Sequence, residues 1–441
     1  MKDVRGNPVG TSSKPALDLA ERALWRLMTF YGTPLDDLQA ASAEDPAWLL
    51  PRVMKAGFLL GLGEASFAAE AAAVLDAAEP LLTAAPDRER AHFQALRTLQ
   101  AGDWDGARHG WEALLSAQPR DALALQWAHL FDFYRGDAVN LRDRVARVLP
   151  AWDEADPLHP HVLALHAFGL EETHRYAEAE EAGRRALAAD PKAPWAVHAV
   201  AHVMEMQGRH DEGSQWLQQR RAEWSSDNGF AVHLGWHQAL FALEALDTGT
   251  ALALLDEHMA AAKTQVALER LDTAALLWRL RLLGADVGPR WRELADAWNP
   301  EPAAAGHYAF NDLHALLALL GAGDAARADA WIEVAAAKAE ATQGTNREMA
   351  IEVGVPLMRG MAAFAHRRDA EAIAWLAPVR PLAHRFGGSH AQRDLIDQTL
   401  LAASARSGDR ETGGQLLAER RRLKAHTPLT AHWARQLGVT L

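Results

Sequence analysis

Arg88 to Asp121 reads RERAHFQALRTLQAGDWDGARHGWEALLSAQPRD: two stretches of helical apolar spacing, a turn at Gly102-Asp103 and a closing Pro119. The form recurs. From Pro160 the chain reads PHVLALHAFGLEETHRYAEAEEAGRRALAADPKA, turning at His174-Arg175 and closing at Pro191. From Pro194 it reads PWAVHAVAHVMEMQGRHDEGSQWLQQRRAEWSSD, turning at Gly208-Arg209, so the step from Pro160 to Pro194 is 34 residues. Repetition at that step is the signature of a stacked helical array, because one helix pair cannot bury its apolar face alone.

Working outward, a longer unit with an extended second half spans Ala122 to His159. Further units run from Asn228 to Met259, Gln265 to Trp298, His307 to Glu340, Met349 to Val379 and Gln392 to Ala425, with turns marked by Gly321-Ala322-Gly323-Asp324, Arg367-Arg368-Asp369 and Ser407-Gly408-Asp409. The expected fold is all-α: a tetratricopeptide-like helix-turn-helix solenoid wound as a right-handed superhelix. Residues 1–15 are expected to be disordered or extended, 16–84 to form a non-repeat helical cap over the first repeat, and 85–441 to form one continuous superhelix.

Composition agrees with helices. Ala and Leu dominate the 441 residues, β-branched residues are sparse, and Gly and Pro fall between apolar stretches. The formal net charge of -13 argues against nucleic acid, which draws on Lys and Arg displacing counterions. With no cysteine in the chain, disulfides, thiolate metal sites and cysteine nucleophiles are excluded, and any metal would need His, Asp or Glu. Neither a signal-peptide core nor a run of about 18 uncharged apolar residues is present, so a cytoplasmic protein that does not enter membranes is expected.

Several first helices carry polar residues where small aliphatic ones are the rule. His198, His202 and Glu205 follow one another at spacings of four and three, which places them within roughly 60° on one helix face. Trp195, Val197, Val200, Ala201 and Met204 are then left for packing, and the polar trio is expected to face the groove. His233 and His237 repeat the spacing 35 residues later. GHYAFNDLHALLALLGAGD adds His307, Asn311 and His314 with Asp312 beside them, FGGSHAQRDLIDQTL adds His390, Arg393 and Asp394, and the preceding unit contributes Glu171. Neutral imidazoles four apart on a helix can share a metal ion with a carboxylate completing or orienting the site, and without metal the same groups can act as general acid and base. HExxH, GxxxxGK[ST] and GxSxG are absent.

In this order the stretches WAVHAVAHVMEMQGRHDEG, HLGWHQALFALE, NDLHALLALLG and GGSHAQRD give a chain that resembles the tetratricopeptide repeat protein 38 family over nearly its whole length. The resemblance implies an all-helical tetratricopeptide architecture. It implies no activity, cofactor or catalytic assignment.

Two functions fit these residues. In one, the protein is an enzyme, hydrolase or lyase in type, acting on a small polar molecule. His198, His202, His233 and His237 would be acid-base groups or ligands of a divalent metal; Glu205 and Asp312 would orient or deprotonate; His314, His390 and Arg393 would hold an anionic substrate, with Glu171, Asn311 and Asp394 beside it. In the other, the groove grips a peptide or small ligand without catalysis. The lack of Lys between Pro194 and Ala262 speaks against an acidic-tail clamp.

Overall fold

The computed structural model describes residues 1–439, and over them the protein is all-α, its β pairing limited to the isolated bridges Lys2↔Pro8 and Tyr31↔Asn228. The helix-turn-helix repeats of the tetratricopeptide pattern are present. The Arg88 unit is Asp87–Gln100 with Trp104–Ala117, the Pro160 unit His159–Glu172 with Tyr176–Ala189, and the Pro194 unit Pro194–Met206 with His210–Gln219. The later units form Ala231–Glu244, Ala267–Leu282, Ala309–Ala322, Val355–Ala365 and His390–Ser407 as first helices, each followed by its partner.

The turns share one backbone device. The residue ending the first helix's turn takes a left-handed conformation, as at Gly208 (φ 68°) and Gly323 (φ 79°), and His174, Leu246 and Arg367 adopt it without being glycine (φ 62°, 61° and 62°). An aspartate commonly follows and caps the second helix: Asp103, Asp137, Asp247, Asp324 and Asp409 each accept from a backbone N–H three residues on. Gly321, read from sequence as part of a turn, is instead the last turn of Ala309–Ala322, and only Gly323 leaves the helix. The hydrogen of Gly321 faces the Trp291 ring, from which an added Cβ would lie 2.1 Å. Gly321→Ala should therefore cost about 1–3 kcal/mol in a urea melt, the usual range for overpacking.

The chain divides into two compact units: residues 1–200 with 226–230, and 201–225 with 231–441. The division falls inside Pro194–Met206, after Val200. In the first unit, residues 1–13 are non-helical and tied down: Arg5 is buried on Glu21 (Nη2 to Oε1, 2.7 Å), and Gly10 N–H donates to Glu89 (2.7 Å), which also accepts from Trp48 Nε1 (2.8 Å). Paired charges stitch its repeats. Arg88 and His92 converge on Asp121 (2.6 and 3.0 Å), and Arg108 and Arg144 on Asp132 (2.7 Å each), all buried.

In the second unit, first helices pack on their successors in order, and the array then closes on itself. His390–Ser407 returns to pack on Ala267–Leu282, and Pro428–Gln436 packs on Ala231–Glu244. Closure leaves Ala267–Leu282 and Ala309–Ala322 no wet face along most of their length. Every residue from Leu271 to Leu280 and from Ala309 to Leu320 is buried, whereas a second helix such as Ala325–Ala341 keeps the usual single apolar stripe of Ala328, Trp331, Ile332, Ala335 and Ala339. His202, Glu205, His237, Asn311, Asp312 and His314, expected to line a groove, are thus interior, while His233, His307, His390, Arg393 and Asp394 are half-buried.

Candidate functional site

The interior of the second unit brings together side chains from five helices. His202 and Glu205 come from Pro194–Met206, His233, His237 and Glu244 from Ala231–Glu244, and Asp272 and Arg279 from Ala267–Leu282. Asp394 comes from His390–Ser407, and Arg420 and Lys424 from Arg410–Lys424. The four-residue spacing puts His233 and His237 on one face of their helix, as read from sequence, and His237 meets His202 with ring centroids 4.4 Å apart. His233 and His237 lie 4.8 Å apart by the same measure. Ring nitrogens of His202, His233 and His237 fall within 4.8 Å of one another.

Two of these imidazoles are held by buried carboxyl groups. His233 donates from Nδ1 to Asp272 Oδ2 (2.8 Å), and His237 from Nδ1 to Glu205 Oε2 (3.1 Å). A proton on Nδ1 leaves the lone pair on Nε2, across the ring from the carboxylate, which is the tautomer a metal-ligating histidine uses. His202 and His237 are fully buried, and His233 keeps 22% of its side chain exposed, so the group reaches solvent at His233.

Around the imidazoles runs a charge network. Lys424 Nζ lies 3.7 Å from Glu205 and 3.1 Å from Glu244, Arg420 binds Glu244 and reaches Asp394 (3.1 Å), and Arg279 donates to the carbonyl of Ala391 (2.7 Å). Burial would raise Glu244, but the Arg420 and Lys424 charges outweigh it and bring its pKa down to about 2. Burial pushes Glu205 up, against the pull of Lys424 and His202.

His198, Glu171, His314 and Asn311 are buried as well. His198, one turn before His202, lies on the first unit's side of the division, where the rings of Phe168, Trp195 and Phe230 surround it at 5.1 to 5.4 Å; Glu171 is buried in the same unit. His314 gives its Nδ1 proton to the Phe310 carbonyl (2.8 Å), and burial lowers its pKa to about 4, so it is neutral and locally engaged. His307, counted with the helix by spacing, precedes it: Ala309–Ala322 begins after the Tyr308 cap, and Asn311 is buried within it. His390 and Arg393 contact one another (3.2 Å), and Asp394 also accepts from Gln398. Sequence reading missed Glu244, Asp272, Arg279, Arg420 and Lys424. Glu244, seven residues after His237 on the same face, and Arg279, inside the apolar run LDTAALLWRLRLL, were the signals available.

Asp312 accepts the Gly306 N–H on both oxygens (3.1 Å each), yet burial raises its pKa to about 7 from 3.8. The folded state then holds a proton that the unfolded chain releases near pH 4, so this group costs stability as pH rises from about 4 to about 7. Asp312→Asn should raise the urea midpoint at pH 8, by up to a few kcal/mol at about 1.4 kcal/mol per pKa unit. The gain should vanish toward pH 4.

Fold and interior together define an all-α repeat protein of tetratricopeptide type whose second unit encloses a histidine-carboxylate core. No protein-family model matches the chain. Among solved structures it is similar to a tetratricopeptide repeat protein from Parabacteroides merdae (13% identity, 66% of this chain and 98% of that one, TM-score 0.34). It is also similar to the APC/C hetero-tetramer Cut9-Hcn1 (13% identity, 98% and 79%, TM-score 0.44) and to yeast Tom70 (12% identity, 96% and 87%, TM-score 0.39). At these scores neither activity nor partner follows from the likeness. No helix among the described residues is long and apolar enough to cross a membrane.

Proposed function

We propose that His202, His233 and His237 bind a divalent metal ion and that the protein is a metal-dependent enzyme, a hydrolase or lyase acting on a small polar molecule in the cytoplasm. The observation that carries this reading is the pairing of His233 with Asp272 and His237 with Glu205, which orients two of three clustered imidazoles as ligands are oriented. Three neutral nitrogens suit zinc, iron(II), manganese or nickel. Such an ion, when bound, supplies Lewis acidity toward a carbonyl or activates water. His233, at the exposed edge, is where a substrate would approach.

The alternative, a peptide-gripping groove, has less support in this unit, since its first helices bury the faces that would line one. The four stretches that resemble the tetratricopeptide repeat protein 38 family include His202, His233 and His237, and membership of that family is part of the proposal.

Titration against a chromogenic chelator tests the site. Glu205→Gln and Asp272→Asn should each weaken metal binding by about 10–100-fold with helicity unchanged, the usual effect of removing a group that orients a ligand. Unaltered affinity in both variants would refute the assignment.

A further inference from the structure

Away from the histidine core, the second unit has a cavity of about 320 Å³ walled by Arg281, Arg367, Arg406 and His432 together with the rings of Phe364 and Trp433. The arginines stand at the ends of three first helices: Arg281 in the last turn of Ala267–Leu282, Arg406 in that of His390–Ser407, and Arg367 just beyond Val355–Ala365. Cations at helix C-termini offset the helix dipole, which accounts for each arginine singly. It does not account for three converging on one cavity.

Their partners leave positive charge over. Arg406 is fixed, with its guanidinium 3.9 Å above the Phe364 ring, Nη2 on the Phe364 carbonyl (3.2 Å) and Nε on Asp369 (3.0 Å). Arg281 lies against the Trp278 ring (5.4 Å), and burial first, then repulsion from Arg367 and Arg406, lowers its pKa. Asp369 answers Arg406, and among the described residues no carboxylate is paired with Arg281 or Arg367. Guanidinium forks match phosphate oxygens in geometry, and a phosphate monoester near neutral pH carries about two charges. We infer that this cavity is a binding site for a small phosphate-bearing molecule, with Arg281 and Arg367 taking the phosphate and the preset Arg406 at its side. A cavity of this size suits a small molecule.

Calorimetric titration of the full-length protein at constant ionic strength, with inorganic phosphate in one arm and glycerol phosphate in the other, tests it. Arg367→Gly removes a guanidinium at φ 62°, where glycine is the unstrained residue, so the variant should fold. Saturable binding in either arm is expected, weakened about tenfold or more in Arg367→Gly and in Arg281→Gln but unchanged in the exposed-site control Arg422→Ala. Binding of the ester alone would identify the organic moiety as part of the ligand. No saturable binding in either arm, or binding that survives both substitutions, would leave the arginines as helix-end charges and overturn the proposal.

Discussion

Glu244→Ala should lower the unfolding free energy by about 3–5 kcal/mol, the range for stripping a buried ion pair of one member. Glu244 is buried and holds two cations, Arg420 and Lys424, that are themselves only 6% and 5% exposed at their side chains. Without it Lys424 retains Glu205 at 3.7 Å and Arg420 retains Asp394 at 3.1 Å, so each cation keeps one longer ion pair, and Arg420 also keeps its hydrogen bond to Thr430 (3.1 Å). Glu244→Gln, which preserves shape and one acceptor, should cost less. The pH dependence has a definite sign. With the folded pKa near 2 against 4.5 unfolded, the stabilisation is complete above pH 4.5 and is lost as pH falls toward 2. Wild type and Glu244→Ala should therefore differ most at neutral pH and converge in acid, as read by urea melts followed through tryptophan fluorescence. A neutral-pH difference below about 1 kcal/mol would place this network among interactions of surface strength.

The second large effect concerns the imidazoles. A ligand that binds only the folded state stabilises it by RT ln(1 + [L]/Kd), about 4 kcal/mol when metal stands at a thousand times its Kd. Removing metal with a chelator should lower the stability of the wild type by roughly that amount and leave His202→Ala unmoved. Comparing each protein with and without chelator separates this from the packing lost with the fully buried His202 ring. An equal response of both proteins would assign the chelator's effect elsewhere.

The repeats were legible because their signals are local. Apolar spacing, a left-handed turn residue and an aspartate cap recur at Gly323-Asp324 and Gly408-Asp409, and the helix pairs fall where those signals put them. The pairing of His233 with His237 on one face was legible for the same reason. Closure of the second unit was not. A repeat period describes how neighbours stack and carries no mark of a distant helix returning, so the contacts of Arg420 and Lys424 with Glu244, 176 and 180 residues away, left no pattern to read. That closure turned an expected groove into a buried polar core and brought in Asp272, Arg279 and Lys424, which no spacing rule had singled out.

Elemental analysis of the purified, untagged protein for zinc, iron, manganese, nickel and copper tests the central claim most directly, with His202→Ala/His237→Ala as control. Near-stoichiometric metal in the wild type, lost in the folded double variant, is the predicted result. A metal-free wild type that takes up no ion on incubation, or metal retained in the double variant, would contradict it.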